Sequence, residues 1–351
     1  MSRSPAPHPI ESKSADSEAA SAQFRSFTVE NERSGERLDR FLAAELPELS
    51  RSRVQDLIEQ GRVSVDGAAR KPSHHLASGE SVAVEIPARQ AAGVEPESIP
   101  LEVLYQDEDV AVVNKPAGMI VHPGAGTPSG TLVAALLNRF GGTSGLSSIG
   151  GPLRAGIVHR LDKGTSGALI VALNDAAHKN LVEQFSARLV QKTYIALLHG
   201  KIKGDSGVVE MPIARDLRRR SRMTARRREG RAARTDWRAL LRADGFTLVE
   251  ANLHTGRTHQ IRVHFSALGC PVVGDTLYGA PRQERVGSAM LPELGRNLLH
   301  AARVVFSHPR TGERIDVRAP LPAELRQYLA ALASAMKFEY SAIDAALRPF
   351  L

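Results

Sequence analysis

Residues 156–167 read Gly156-Ile157-Val158-His159-Arg160-Leu161-Asp162-Lys163-Gly164-Thr165-Ser166-Gly167, a polar cluster wedged between two aliphatic runs. The run that follows, Gly167 to Leu173, has the short apolar pattern of a strand. If His159 to Asp162 is extended, successive side chains alternate, so Arg160 and Asp162 face one surface while Leu161 anchors the other. A cation and a carboxylate then share that surface. Gly164 and Gly167 permit tight turns and the close approach of a ligand, with Thr165 and Ser166 as hydrogen-bonding groups between them. A salt-bridged turn with a structural aspartate fits the same spacing, and the stretch alone leaves both readings open.

Outward from this stretch, Leu101–Tyr105 and Val110–Asn114 flank the acidic turn Asp107-Glu108-Asp109. Thr193–Leu198, Phe246–Leu253, Arg303–Phe306 and Arg314–Val317 are further strand-like runs. The spacing predicts helices over 131–140, 175–187 and 258–268. Thr258 is the expected cap of the last, Ile261, Phe265 and Leu268 its buried face, and Gly269 its end. Short connections and hairpins favour a largely antiparallel α+β domain over residues 98–330, rather than a doubly wound one.

Upstream lies a smaller module, expected over 30–88. Leu38, Phe41, Leu42 and Leu46 share one helical face that Pro47 ends, and Ser50 caps a second helix carrying Val54, Leu57 and Ile58. Val63–Val65, the Asp66-Gly67 turn and the alternating Ser81–Ile86 form a small β element. Residues 1–25 are Ser/Ala/Pro-rich and read as a disordered tail, 89–97 as a linker, and 331–351 as a helical extension.

The 351 residues carry 46 Lys+Arg against 38 Asp+Glu, a net charge of +8 that favours a polyanionic partner. With Cys270 the only cysteine, neither an internal disulfide nor a cysteine zinc cage is possible, and a reducing cytoplasm is expected. No window supplies the apolar run of a membrane span or of a secretory signal. His254, His259 and His264 recur every five residues, which does not align ligands on one helix face, so no metal is expected.

Several blocks carry a resemblance. His159 to Gly167 matches the HRLDxxTSG motif of the RluA-type pseudouridine synthases, extended upstream by Arg154-Ala155-Gly156-Ile157-Val158. Asn114-Lys115-Pro116-Ala117-Gly118-Met119 with Val121-His122-Pro123-Gly124, Lys192-Thr193-Tyr194-Ile195-Ala196, Thr255 to His264, and Gly274-Asp275-Thr276-Leu277-Tyr278-Gly279 resemble that family in its order. The 37–87 unit, with Arg51-Ser52-Arg53 opening its second helix and further cations at Arg37, Arg40 and Arg62, resembles the S4 RNA-binding domain. Similarity spans roughly residues 30–330 and is closest to the RluD type that modifies large-subunit ribosomal RNA.

The resemblance implies an isomerase that needs no cofactor and no metal. Asp162 is the implied nucleophile, attacking the target uridine at C1′ or at the base. Arg262 is implied to pair with Asp162 and keep it ionised, and Tyr194 to stack on the base and help remove the C5 proton. Arg160 is implied to fill the gap left by the flipped uridine. His159, Leu161, Thr165, Arg257, His259 and Gln260 are expected at the substrate, and Arg51 and Arg53 on RNA in the S4-like module. The tract from Arg215 to Arg234, with Arg226, Arg227 and Arg228 at its densest, corresponds to a mobile hairpin that grips RNA. The implied partner is large-subunit ribosomal RNA or the assembling subunit, and a monomer is expected. A transfer-RNA enzyme and a non-catalytic ribosome-assembly factor are the alternatives; the Asp162, Tyr194 and Arg262 set speaks against the second.

Overall fold

The computed structural model describes residues 23–47, 49, 51–86, 93–124, 127–219, 221–225, 229–243 and 245–350, without the side chains of Ser52, Arg53 and Thr143. The chain divides after residue 92 into two compact units.

The N-terminal unit runs β1 (Gln23–Thr28), α1 (Leu38–Glu45), α2 (Arg51–Glu59), β2 (Val63–Val65), β3 (Ala68–Ala69) and β4 (Ser81–Ile86). Its antiparallel sheet has the order β1-β4-β2-β3. The stripes read from the sequence form its core: Leu38, Phe41, Leu42, Leu46, Val54, Leu57 and Ile58 pack on Val63, Val82 and Val84. Strand β1 corrects the expected boundary of the tail at residue 25, since residues 23–25 pair in register with Val84 to Ile86. A strand at a sheet edge is recruited by its partner's unpaired backbone, which leaves little mark in local sequence.

Three of the arginines noted in this unit, Arg37, Arg51 and Arg62, are tied to the scaffold. Asp39, wholly buried, accepts from the guanidinium groups of Arg37 and Arg51 and from the Gln55 amide. Those donors hold its carboxyl well below the usual range. Arg51 is thus half committed to an internal ion pair, and Arg62 pairs with Glu85, whereas Arg40 is exposed. The Arg53 side chain, the Ser50 cap and residues 1–22 and 87–92 lie outside the described residues.

The larger unit continues with β5 (Glu102–Gln106), β6 (Val110–Lys115), α3 (Leu132–Arg139), β7 (Ser166–Ala172), α4 (Asp175–Ser186), β8 (Gln191–His199), β9 (Ser206–Glu210), β10 (Ala214–Arg215), β11 (Met223–Thr224), β12 (Arg234–Ala243), β13 (Phe246–Leu253), α5 (Gln260–Ala267), β14 (Arg285–Val286), β15 (Ala289–Met290), β16 (Leu299–Ser307), β17 (Arg314–Arg318), α6 (Ala323–Ala335) and α7 (Tyr340–Leu347). One long sheet organises it in the order β5-β6-β7-β16-β8-β13-β12-β9, with β17 added on β16. Only the β7–β16 pairing is parallel; the rest are antiparallel, so the fold is α+β around a mixed sheet. The period-2 alternation of strands divides the packing. Val113, Leu169, Tyr194, Ala196 and Ala251 face α3 and α5, while Val112 and Ile170 face α4, and Ile195 and Leu197 face α6 and α7.

Two boundaries shift here as well. Val94, within the expected linker, is buried in the same core as α3, and the Glu97 amide bonds the Ala134 carbonyl. The expected break at 330 falls inside α6. Leu332, Ala333, Ile343, Leu347 and Phe350 complete a core with β8, so the C-terminal segment is helical but is no appendage. Thr258 is not the cap of α5: His259 holds that place in the left-handed region at φ 58°, and Leu268 is exposed. No helix among the described residues is long and apolar enough to cross a membrane.

Candidate active site

Residues 158–165 form a loop rather than an extended strand, bounded by the Ile157–Val171 bridge and the start of β7. The Leu161 side chain is buried in the core, while Arg160 and Asp162 reach the cleft beside it. The Thr165 amide closes the turn on the Asp162 carbonyl at 3.1 Å. Beneath the loop, Lys115 is completely buried, and its ammonium donates to the carbonyls of Pro116, Met119 and Lys163. Burial pulls that ammonium down to about 7, against an opposing pull from the Asp162 carboxylate. From behind, Arg296 donates to the Gly164 carbonyl and to the Ser166 hydroxyl, which also bonds His300 at 2.9 Å. Gly164 and Gly167 do permit close approaches, but to the protein itself. A Cβ at Gly167 would come within 2.2 Å of the Ala301 carbonyl oxygen, and one at Gly164 within 2.8 Å of the Asn297 amide oxygen.

Asp162 lines a cleft of about 480 Å³, with 17% of its side chain exposed. Across it, one Arg262 Nη donates to Asp162 Oδ2 at 3.3 Å. The stronger hold on that guanidinium comes from Asp275, which accepts from Nε at 2.6 Å and from the other Nη at 2.9 Å. Asp275 is almost fully buried, and its two-pronged pair orients the Arg262 guanidinium. Arg262 also lies 5.0 Å from the centre of the Tyr278 ring, whose hydroxyl meets His259 Nδ1 at 2.8 Å. Tyr194, on β8, is buried among the cleft walls, and burial together with the Asp162 carboxylate pushes its phenol well above the ordinary value.

Several expected substrate groups prove to be held by the scaffold. His159 Nε2 accepts from the Ile170 amide at 2.8 Å, and its ring packs on Phe185 at 4.7 Å. Burial drops it to about 3, so the imidazole is neutral and pins the loop to β7. Gln260 is buried and spends its amide on the Arg234 carbonyl, Thr235, Thr255 and the Arg257 amide. The Thr165 side chain is buried with its hydroxyl unpartnered. Arg160 is exposed on the rim, with no carboxylate partner among the described residues. Arg257 Nε donates to the Ala232 carbonyl, and its guanidinium is pushed down by burial and by the cations Arg231 and Arg188. The histidines do not converge: His254 pairs with Asp236 and His264 sits between Thr235 and the Met211 carbonyl.

Asp107, Asp109 and His308 come together at the β5–β6 turn, away from this cleft. Their lone pairs are taken by backbone amides, by Arg310 and by one another.

A sequence model described as RNA pseudouridylate synthase matches residues 109–267, and one of the S4 domain matches 36–82. The chain is 46% identical over 291 residues to an uncharacterized RNA pseudouridine synthase of Aquifex aeolicus, covering 82% of this chain and 90% of that protein. It is 42% identical over 321 residues to the ribosomal large subunit pseudouridine synthase D of Xanthomonas campestris, covering 90% and 95%. The chain belongs to the RNA pseudouridine synthases. The solved structure of human RNA pseudouridylate synthase domain containing 1 agrees in fold, at 31% identity and a TM-score of 0.50 over 72% of this synthase and 97% of that chain.

Among the described residues, part of the arginine tract of the synthase forms the β10–β11 hairpin. Asp216 Oδ1 accepts from the Arg218 and Arg219 amides, shaping a tip that leaves both side chains exposed. Arg234 differs from the expectation, since it opens β12 and pairs with Asp236 and Glu210. Arg226, Arg227 and Arg228 lie outside the described residues. Sequence reading gave no role to Asp275, Tyr278, Lys115, Arg296 or His300. The first three lay inside quoted blocks; Arg296 and His300 carried no local signal at all.

Proposed function

We propose that this synthase isomerises specific uridines of large-subunit ribosomal RNA, with Asp162 as the nucleophile. The reading is carried by one observation: a carboxylate lining a cleft, faced by a guanidinium that a buried second carboxylate holds in place. Arg262 orients the Asp162 carboxylate that attacks. A bond forms from the carboxylate to C1′ or to the base, the N1–C1′ bond breaks, and N1 leaves with the electron pair. The uracil turns, C5 closes on C1′, the bond to the carboxylate breaks with its electron pair returning to Asp162, C5 loses its proton and N1 gains one, so the product is an isomer.

A phenol held above its ordinary range is a poor proton acceptor, so Tyr194 serves by stacking on the base. The carboxylate freed when C5 closes on C1′ is the acceptor the cleft offers. The unpartnered Thr165 hydroxyl is available to the base, and Arg160 to the gap left in the RNA stack. Arg188 and Arg257, which line the cleft, and the neighbouring Arg231 have no carboxylate partner among the described residues and suit phosphodiester oxygens. The relatives named for the large subunit favour ribosomal RNA as substrate.

Asp162→Asn is expected to abolish pseudouridine formation on a large-subunit RNA transcript while changing RNA affinity by no more than a few fold. Near-normal turnover by that variant would refute the nucleophile. Chemical mapping with primer extension, in cells with and without the protein, reads the substrate directly. Sites in transfer RNA alone would overturn the ribosomal reading.

A further inference from the structure

We propose that Tyr278 is a positioning residue that ties the β10–β11 hairpin to Arg262 and His259, so that RNA held by the hairpin sets the guanidinium facing Asp162. This rests on the function proposed above.

The contacts run in both directions from one buried ring. On the hairpin side, the Met223 amide donates to the Tyr278 hydroxyl at 2.9 Å, and the Arg222 guanidinium lies 5.1 Å from the ring centre. On the cleft side, the same hydroxyl meets His259 Nδ1 and the same ring faces Arg262 at 5.0 Å. Tyr278 is also the third residue after Asp275, whose carbonyl its amide bonds at 3.0 Å. One short turn therefore grips Arg262 twice, by carboxylate and by ring, while its hydroxyl anchors the main chain of the hairpin.

His259 supplies the reason for such an anchor. It caps α5 in the left-handed region, where a residue with a side chain is strained and persists only when its surroundings hold it. The Tyr278 hydroxyl is the bond that holds its ring, and Arg262 stands three residues further along the same helix. A shift of the Met223 amide is thus felt at the start of α5 without passing through solvent. The hairpin tip carries the exposed Arg218 and Arg219, so an RNA strand drawn to them loads this path.

Tyr278→Phe separates the parts, because it keeps the ring, its packing on Val263 and Met223, and both cation contacts, and removes only the hydroxyl. Three measurements are made on the full chain: hydrogen exchange at the Met223 amide, the His259 titration by NMR, and single-turnover rate and Kd with a large-subunit RNA transcript. Expected are about tenfold faster exchange at Met223 and a shift of the His259 titration as Nδ1 loses its hydrogen-bond partner. The rate is expected to fall about tenfold while Kd stays within threefold. Tyr278→Leu, which also removes the cation contacts, is expected to lower the rate further. Unchanged exchange and titration in Tyr278→Phe would overturn the proposal, and so would faster exchange with an unchanged rate, or equal losses in rate and affinity. Absence of pseudouridine from the unsubstituted protein's reaction would instead defeat the functional reading, with the exchange and titration still deciding whether the tie exists.

Discussion

Arg262 is shared unequally between two carboxylates, and the inequality decides what each does. Asp275 takes two short bonds and is out of reach of solvent; Asp162 takes one long bond and stays open to the cleft. A tightly paired Asp162 would be a poor nucleophile, whereas a loosely paired one is oriented and still free to attack. Asp275→Asn removes the charge that fixes the guanidinium, leaving Arg262 to collapse onto Asp162. Turnover is expected to fall roughly 10- to 100-fold, with a loss of about 3 kcal/mol in stability because a mostly buried cation loses its partner, read by single-turnover kinetics and denaturant unfolding. Lys192 offers a pH test. Burial brings it down to about 8, and it lines the cleft beside Tyr194 on the same face of β8. Its charge is present below that value and lost above it, so RNA affinity is expected to decline as pH rises from 7 to 9, and Lys192→Gln to flatten that limb. For stability the sign is opposite. Above pH 8 the unfolded chain holds this proton more tightly than the folded one, so the cost of burying Lys192 shrinks as pH rises toward the ordinary lysine value.

At the scale of elements, the loop that carries Asp162 is positioned from behind more than from within. It has no regular structure, yet β7 begins at Ser166 directly after it, and β16 lies parallel alongside through His300 and Ala301. The lone parallel pairing of the sheet brings the two backbones together where Gly167 sits at φ 118°. Gly167→Ala would drive a methyl group into the Ala301 peptide in a conformation that L side chains rarely adopt. A loss of at least about 3 kcal/mol is expected, seen as a lower denaturant midpoint, with activity lost in parallel because the same strand carries the Asp162 loop.

Across the whole molecule, the excess of cations is spent in two ways. Arg37 and Arg51, Arg234, and Arg303 with Arg310 are engaged by carboxylates on the protein itself. The exposed Arg218 and Arg219, and the cluster of Arg188, Arg231 and Arg257, carry no carboxylate partner among the described residues. Replacing Arg218 and Arg219 together by Ala is expected to weaken RNA binding and to reduce the slope of log affinity against log salt by about 1.4, since each phosphate contact on a single strand contributes about 0.7. Filter binding between 50 and 300 mM salt, on the order of the range where counterion release dominates, checks this. An unchanged slope would mean that the hairpin tip faces away from the RNA.

Much of the architecture was written locally. The apolar stripes of α1 and α2, the alternating strand β4, and helices α3 and α4 with Thr131 and Asn174 at their caps are patterns that short-range physics imposes on any fold. The candidate site was legible as residue types in one loop and one helix, Asp162 and Arg262 being 100 positions apart. What sequence alone could not supply was the use to which each polar group is put. His159, Gln260 and Arg51 carry chemistry suited to RNA, yet their hydrogen bonds are spent on the Ile170 amide, on β12 and on Asp39. Asp275 and Tyr278, without an assigned role in the sequence, became the supports of Arg262. A buried donor or acceptor must be satisfied by whatever the tertiary fold brings within about 3 Å, and that neighbour is set by chain crossings hundreds of atoms away rather than by the residues beside it.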